Sequence, residues 1–214
     1  MRPAAGWTPP ARLGTIGPMV LPALALALLL AEPGGTVAAG LPAPAFSLRT
    51  LNPEAAGAAW VRLEKLVGPE AEDAGAKVVL LSFFASWCGP CKKELPFLAA
   101  LDRAYRSKGL RVVSVDIDGD EAGIEAARKL VEGAGVVHPV GSDRFQILAR
   151  RYLGEKAPLP SAFLVRRDGT VARVDRGYTE DASAFLTAAV RAELGLPPEP
   201  RAPARKGGAS PGRH

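Results

Sequence analysis

From Val78 to Ala85 the chain runs Val-Val-Leu-Leu-Ser-Phe-Phe-Ala, and Cys88-Gly89-Pro90-Cys91 follows after only Ser86 and Trp87. An apolar run without alternation is the pattern of a central strand buried on both faces, which requires packed layers above and below it. After the cysteines, Leu95, Leu98, Leu101 and Tyr105 recur at helical spacing as far as Gly109, with Pro96 expected to bend the helix. Both cysteines of the chain therefore sit in a tight segment between a buried strand and a helix.

The flanking segments extend this to an α/β layout. Phe46-Ser47-Leu48 and Trp60 to Leu63 read as short strands, with a turn over 64–67 and a surface loop over 68–77. Leu110 to Asp116 is the next strand, and Asp120 is placed to cap a helix running to about Glu132, before Gly133 and Gly135. The strand-helix-strand-helix order predicts parallel pairing with right-handed crossovers. His138-Pro139-Val140 reads as a short strand, and Phe145, Leu148, Ala149 and Tyr152 as one face of a helix ending near Gly154. Ser161–Val165 and Thr170–Val174 flank Arg167-Asp168-Gly169, a hairpin signal because Asp-Gly suits positive φ. Thr179 to Leu194 reads as a closing amphipathic helix.

With 214 residues and 48% hydrophobic content, the chain has material for one core plus appendages. Its net charge of +5 comes from the ends. Arg2, Arg12, Arg201, Arg205, Lys206 and Arg213 outnumber Glu32 and Glu199 there, leaving 21 basic and 20 acidic residues for the rest, so nucleic acid is not an expected partner. Residues 1–39 have the order of a secretory signal: arginines, the apolar run Met19 to Ala31, then small residues ending Val37-Ala38-Ala39, with cleavage expected after Ala39. An uncleaved membrane anchor is the competing reading, against which the run is short of about 20 residues and contains Pro22. Either way an exported domain is expected over 40–196, in a compartment where disulfides persist. Residues 197–214, rich in Pro, Gly and basic side chains, are expected to be a disordered tail.

At the start of a helix, unpaired N–H groups and the helix dipole stabilise an anion, so the Cys88 thiol should ionise readily. A thiolate is the attacking species in disulfide exchange, and Cys91, about one turn on, is placed to resolve the mixed disulfide. Gly89 and Pro90 shape the turn that lets the sulfurs approach. Three other readings compete. A purely structural disulfide would close too small a loop to remove much unfolded-state entropy. Zinc needs about four ligands, and besides the cysteines only His138 and His214 are at hand. Haem attachment requires His after the second Cys, where Lys92 stands. No metal and no cofactor is expected.

The segment Ala85-Ser86-Trp87-Cys88-Gly89-Pro90-Cys91-Lys92-Lys93-Glu94-Leu95-Pro96 resembles the active segment of thioredoxins, specifically of the exported TlpA and ResA type. The likeness extends through Asp116, Leu159 to Val165 and Arg167-Asp168-Gly169, covering most of residues 41–195. It implies a thioredoxin fold: a mixed central sheet flanked by helices, with an N-terminal β extension. Pro160 falls where the family has a cis-proline facing the cysteines, which would offer the backbone of Leu159 to an extended substrate; a strand-start proline is the plainer reading. Glu94 would exchange a proton with Cys91, or would be a solvated helix acid beside Lys92 and Lys93. Cytosolic thioredoxins carry an Asp where this chain has Ser82, so another proton relay is needed. Trp87 would pack beside the cysteines and contact substrate, or fill the domain edge. His138 is taken as a fold residue.

The resemblance further implies a monomeric protein disulfide reductase, periplasmic or on the outer face of the cytoplasmic membrane. It would take electrons from a membrane thiol donor and reduce exported disulfide-containing proteins; apocytochrome c is one substrate class that the family serves. Gly89-Pro90 resembles the reducing members. Two alternatives are a thiol peroxidase, whose Pro-x-x-x-Thr-x-x-Cys segment is absent, and a Cu(I) carrier of the same fold using both thiolates.

Overall fold

A computed structural model describes residues 37–155, 158–177, 179 and 181–198. The apolar run Met19 to Ala31 and the tail beyond 198 lie outside the described residues. Strand β3, Val78–Phe84, is the centre of a five-stranded sheet, and all seven of its residues are buried. It pairs in parallel with β4, Leu110–Asp116, which in turn pairs in parallel with β5, Val140–Ser142. On its other side β3 pairs antiparallel with β6, Ser161–Arg166, and β6 with β7, Val171–Arg176. The order β5-β4-β3-β6-β7 is a mixed sheet. Helices α2 (Gly89–Tyr105), α3 (Glu121–Gly133), α4 (Ile147–Leu153) and α5 (Ala182–Glu193) cover it, giving the thioredoxin arrangement that the resemblance implies.

Because side chains alternate across a strand, β3 feeds two layers. Val79, Leu81 and Phe83 face a core with Val113, Val115, Phe163, Val165 and the α4 residues Leu148 and Tyr152. The rings of Phe83, Tyr152 and Phe163 meet at centroid separations of 5.0 to 5.8 Å. Val78 and Leu80 face the other way, against Leu98, Leu101 and Tyr105 of α2 and Leu186 and Val190 of α5. Each such buried aliphatic or aromatic side chain contributes about 1.5–3 kcal/mol through loss of apolar hydration. Ser82 is the polar exception on the helix-facing side.

The N-terminal extension is an antiparallel pair, β1 (Ser47–Arg49) and β2 (Trp60–Arg62). Between them lies a short turn of helix, α1 (Pro53–Ala56), begun by Pro53. The pair adds Phe46, Val61 and Leu63 to the Phe83 core. Leu48 packs so closely on Gly141 of β5 that a Cβ there would lie 2.8 Å from its Cδ1. Val37, on the leading side of the boundary expected after Ala39, is also buried in this core, and its carbonyl accepts from Arg176 at 3.2 Å.

Several expected boundaries move. The strand expected over His138-Pro139-Val140 is β5, starting at Val140. The Asn52 side chain takes the His138 carbonyl at 2.9 Å and the Val140 N–H at 3.0 Å, so these groups are tied to a side chain before the ladder begins. Phe145 does not share the buried face of α4; it is 72% exposed. The chain turns there, with Gln146 at φ 55° and the Asp143 carboxylate capping the Ala149 N–H at 2.7 Å. The closing helix begins at Ala182, three residues after Thr179. Elsewhere, Pro96 lies inside α2 without ending it: it stands on the exposed face, and only the Lys92 carbonyl loses its intrahelical donor.

Candidate active site

Strand β3 ends at Phe84, and the Cys88 N–H donates to the Ala85 carbonyl at 3.1 Å, closing a turn that delivers Cys88 as the N-cap of α2. Its sulfur accepts from the Cys91 N–H at 3.3 Å, one of the N-terminal donors that a helix cannot satisfy internally. Pro90, in the first turn, removes another such donor at no loss. Cys88 and Cys91 are joined as a disulfide, with Cα atoms 5.3 Å apart. Cys91 is fully buried and Cys88 is 5% exposed, so the sulfur nearer the surface is the one that caps the helix.

Gly89 and Pro90 are exposed, and Trp87 is 68% exposed, so its ring is available to a partner rather than filling the domain edge. The Leu159–Pro160 peptide bond is cis. Pro160 is buried, and Leu159, half-buried, packs against the same cluster as Cys88 and Cys91. The structure thus brings the cysteines and Leu159-Pro160, 68 or more residues apart in sequence, to one end of the sheet.

Glu94 is not a solvated helix acid. It faces inward on α2 as Cys91 does, is 7% exposed, and its Oε2 accepts from the Ser82 hydroxyl at 2.8 Å. Burial pushes its carboxyl up to about 7; the Ser82 hydrogen bond opposes this, and the charge of Asp175 on β7 adds to it. A carboxyl near neutrality is able to accept or give a proton at ordinary pH. The strand position at which cytosolic thioredoxins carry an aspartate therefore holds a hydroxyl that bonds a carboxyl from the helix.

His138 is fully buried with Nε2 2.9 Å from the Ser114 hydroxyl, and burial lowers its pKa to about 3, consistent with a fold residue held neutral. Sequence reasoning missed Asp118. It is 4% exposed and accepts from both the N–H (2.7 Å) and the hydroxyl (3.1 Å) of Ser86, two residues before Cys88. Its neighbour Asp116, fully buried, is raised to about 8 by burial first, then by the hydrogen bond and charge of Asp118 and the charge of Asp143. The one signal in the sequence was acid at alternate positions just past a buried strand. Among the described residues, no group of three or more His, Cys, Asp or Glu is arranged to hold a metal ion.

Comparison with known proteins places the chain in a family. The AhpC/TSA family profile matches residues 39–174. A thiol-disulfide oxidoreductase ResA from Bacillus thuringiensis (strain Al Hakam) is 36% identical over 102 residues, 48% of this chain and 56% of that protein. The chain thus spans little more than half the length of that relative. A ResA from Geobacillus thermodenitrificans is 29% identical over 161 residues, 74% of this chain and 87% of its own. Among solved structures, a Chlorobium tepidum protein described as the thiol:disulfide interchange protein DsbE superposes with a TM-score of 0.62 at 29% identity, covering 75% of this chain and all of the other. With more than half of its length matched by the profile, this chain belongs to the AhpC/TSA family of thioredoxin-fold proteins.

Proposed function

We propose that this protein is a thiol-disulfide oxidoreductase that reduces disulfides of exported proteins through Cys88 and Cys91. The observation that carries the reading is a redox pair at the N-terminus of α2 with an ionisable buried carboxyl, Glu94, on the same helix. In the reduced protein the Cys88 thiolate attacks one sulfur of a substrate disulfide; that S–S bond breaks, one substrate thiolate leaves, and a Cys88–substrate disulfide forms. Glu94 takes the proton of the Cys91 thiol, and the Cys91 thiolate attacks the Cys88 sulfur. The second substrate thiolate leaves, and two electrons have passed from the protein to the substrate. The product is the Cys88–Cys91 disulfide, the state described above, which a thiol donor must reduce again. Exposed Trp87 and the Leu159-Pro160 backbone would line the substrate peptide.

The signal-type segment over 1–39 supports a periplasmic or outer-face location, cleaved or tethered, with a membrane thiol protein as electron donor and cytochrome c maturation as one setting. Among the described residues no helix is long and apolar enough to cross a membrane. The test is a Cys91→Ser variant presented with a protein disulfide such as oxidised insulin, together with the reduction potential of the wild-type pair. A trapped Cys88 mixed disulfide and a low, thioredoxin-like potential are expected. Full turnover by the variant would refute the two-cysteine mechanism, and a high potential would reverse the direction of electron flow. Peroxide consumption by the reduced protein at a rate above its disulfide exchange would favour the thiol peroxidase.

A further inference from the structure

We propose that Asp118 is the positioning residue of the cysteine pair: its carboxylate fixes the chain just before Trp87-Cys88, and Gly123 on α3 leaves it the space to do so. The inference rests on the redox reading of Cys88 and concerns how that site is held.

Ser86 is the one residue of the Ala85–Cys88 turn whose backbone N–H and side chain are both bonded to another element. Asp118 takes its N–H at 2.7 Å through Oδ2 and its hydroxyl at 3.1 Å through Oδ1. Asp118 is itself anchored. Its N–H donates to Asp116 Oδ1 at 3.3 Å, and the Ile117 N–H before it continues the β3–β4 pairing to the Phe84 carbonyl at 3.0 Å. On its far side lies the first turn of α3. A Cβ on Gly123 would stand 2.8 Å from Asp118 Oδ1, 2.9 Å from its Cβ and 3.0 Å from its Cγ. Gly123 has no left-handed φ, so its backbone conformation does not call for glycine. Glycine in a helix costs about 1 kcal/mol relative to alanine. The space taken by Asp118 is what the absence of a side chain provides.

The consequence reaches the sulfur. The Cys88 sulfur caps α2 through a single contact, the Cys91 N–H at 3.3 Å, and the thiolate is favoured only while that contact and the helix N-terminus stay aligned with Sγ. Releasing Ser86 lets the turn drift and moves Cys88 off the helix axis. Charge and position act oppositely here: removing the Asp118 charge alone would favour a nearby thiolate, whereas loss of positioning disfavours it.

The experiment uses the full chain, reduced, with Asp118→Ala, Asp118→Asn and Gly123→Ala. Two readouts are taken: the Cys88 pKa from thiolate ultraviolet absorbance, and the rate of attack on a small aromatic disulfide. Asp118→Ala and Gly123→Ala are expected to raise the Cys88 pKa and slow the attack about tenfold, less than the roughly hundredfold that a misplacement of about 1 Å can cost. Asp118→Asn, whose amide offers an acceptor to the Ser86 N–H and a donor to its hydroxyl, is expected to rescue most of the rate. A wild-type pKa and rate in Asp118→Ala would overturn the proposal, as would a loss in Asp118→Asn equal to that in Asp118→Ala. If circular dichroism shows Asp118→Ala unfolded, Gly123→Ala decides alone, wild-type behaviour overturning the proposal and a raised pKa supporting it. Neither readout depends on a natural substrate, so a wild type that fails to reduce protein disulfides would count against the proposed function and leave these comparisons interpretable.

Discussion

Glu94 gives the sharpest prediction because its burial has a calculable effect on stability. Its carboxyl titrates at about 7 in the fold against an ordinary value of 4.5. The folded state thus binds the proton more tightly than the unfolded one, and stability is highest below the unfolded value, falls as pH rises between the two, and levels off above the folded one. The gap corresponds to about 3 kcal/mol. Glu94→Gln is neutral at every pH and keeps an acceptor for the Ser82 hydroxyl, so it abolishes this dependence without opening a cavity. The stability difference between the variant and the wild type should be small near pH 4 and grow to about 3 kcal/mol in favour of the variant above about pH 8. Asp116, raised to about 8, adds its own slope to both proteins and cancels in the difference. The assay is denaturant unfolding of the oxidised protein across this range, followed by tryptophan fluorescence. A difference that does not vary with pH would refute the burial argument. A companion variant, Ser82→Ala, removes the hydrogen bond that holds the Glu94 carboxyl down, and should move the steep part of the stability curve to higher pH.

Asp175→Asn removes a negative charge that pushes Glu94 up and leaves Arg173 without its carboxylate partner; both changes should lower the Glu94 pKa and shift the pH dependence of disulfide exchange to lower pH, and an unshifted profile would show that the β7 edge does not sense the site. Gly141→Ala should destabilise the protein by about 1–3 kcal/mol through overpacking, because the new Cβ would meet Leu48 at 2.8 Å. Unchanged denaturant unfolding in that variant would mean that the β1–β2 pair rides freely on β5.

The centre of the fold and the identity of the redox pair were legible because they depend on local pattern. A nearly continuous apolar run, two cysteines within one helical turn and a capping Asp120 each declare themselves within a few residues, and Asp120 does accept from the Gly123 N–H at 2.7 Å. What was not legible depends on contacts between distant residues. Asn52 sets the start of β5 from 86 and 88 positions away, and Asp118 reaches Ser86 across 32. Phe145 fits the helical period of α4, yet the turn at Gln146 and the Asp143 cap place it outside the helix. A period identifies a face only where the helix has already begun.

Ser82 shows how a departure from a resembling family points to its own compensation, since a serine at that position calls for another proton relay. Seen alone, a serine where cytosolic thioredoxins carry an aspartate removes the proton acceptor from beneath the cysteines. In the fold, Ser82 and Glu94 form one unit, strand hydroxyl to helix carboxyl at 2.8 Å, so that the acid arrives from α2 instead of β3. This changes what the acid travels with. A carboxyl rooted on the central strand belongs to a different element from the cysteines; Glu94, three residues beyond Cys91, lies on their own helix, so on the proposed mechanism the acid and the sulfur share one rigid element. The Ser82 hydroxyl then acts as the fixed end of a short tether. Its loss should therefore alter the pH profile of exchange, through Glu94, far more than the affinity for substrate, which on the proposed mechanism is set at exposed Trp87 and at the Leu159-Pro160 backbone.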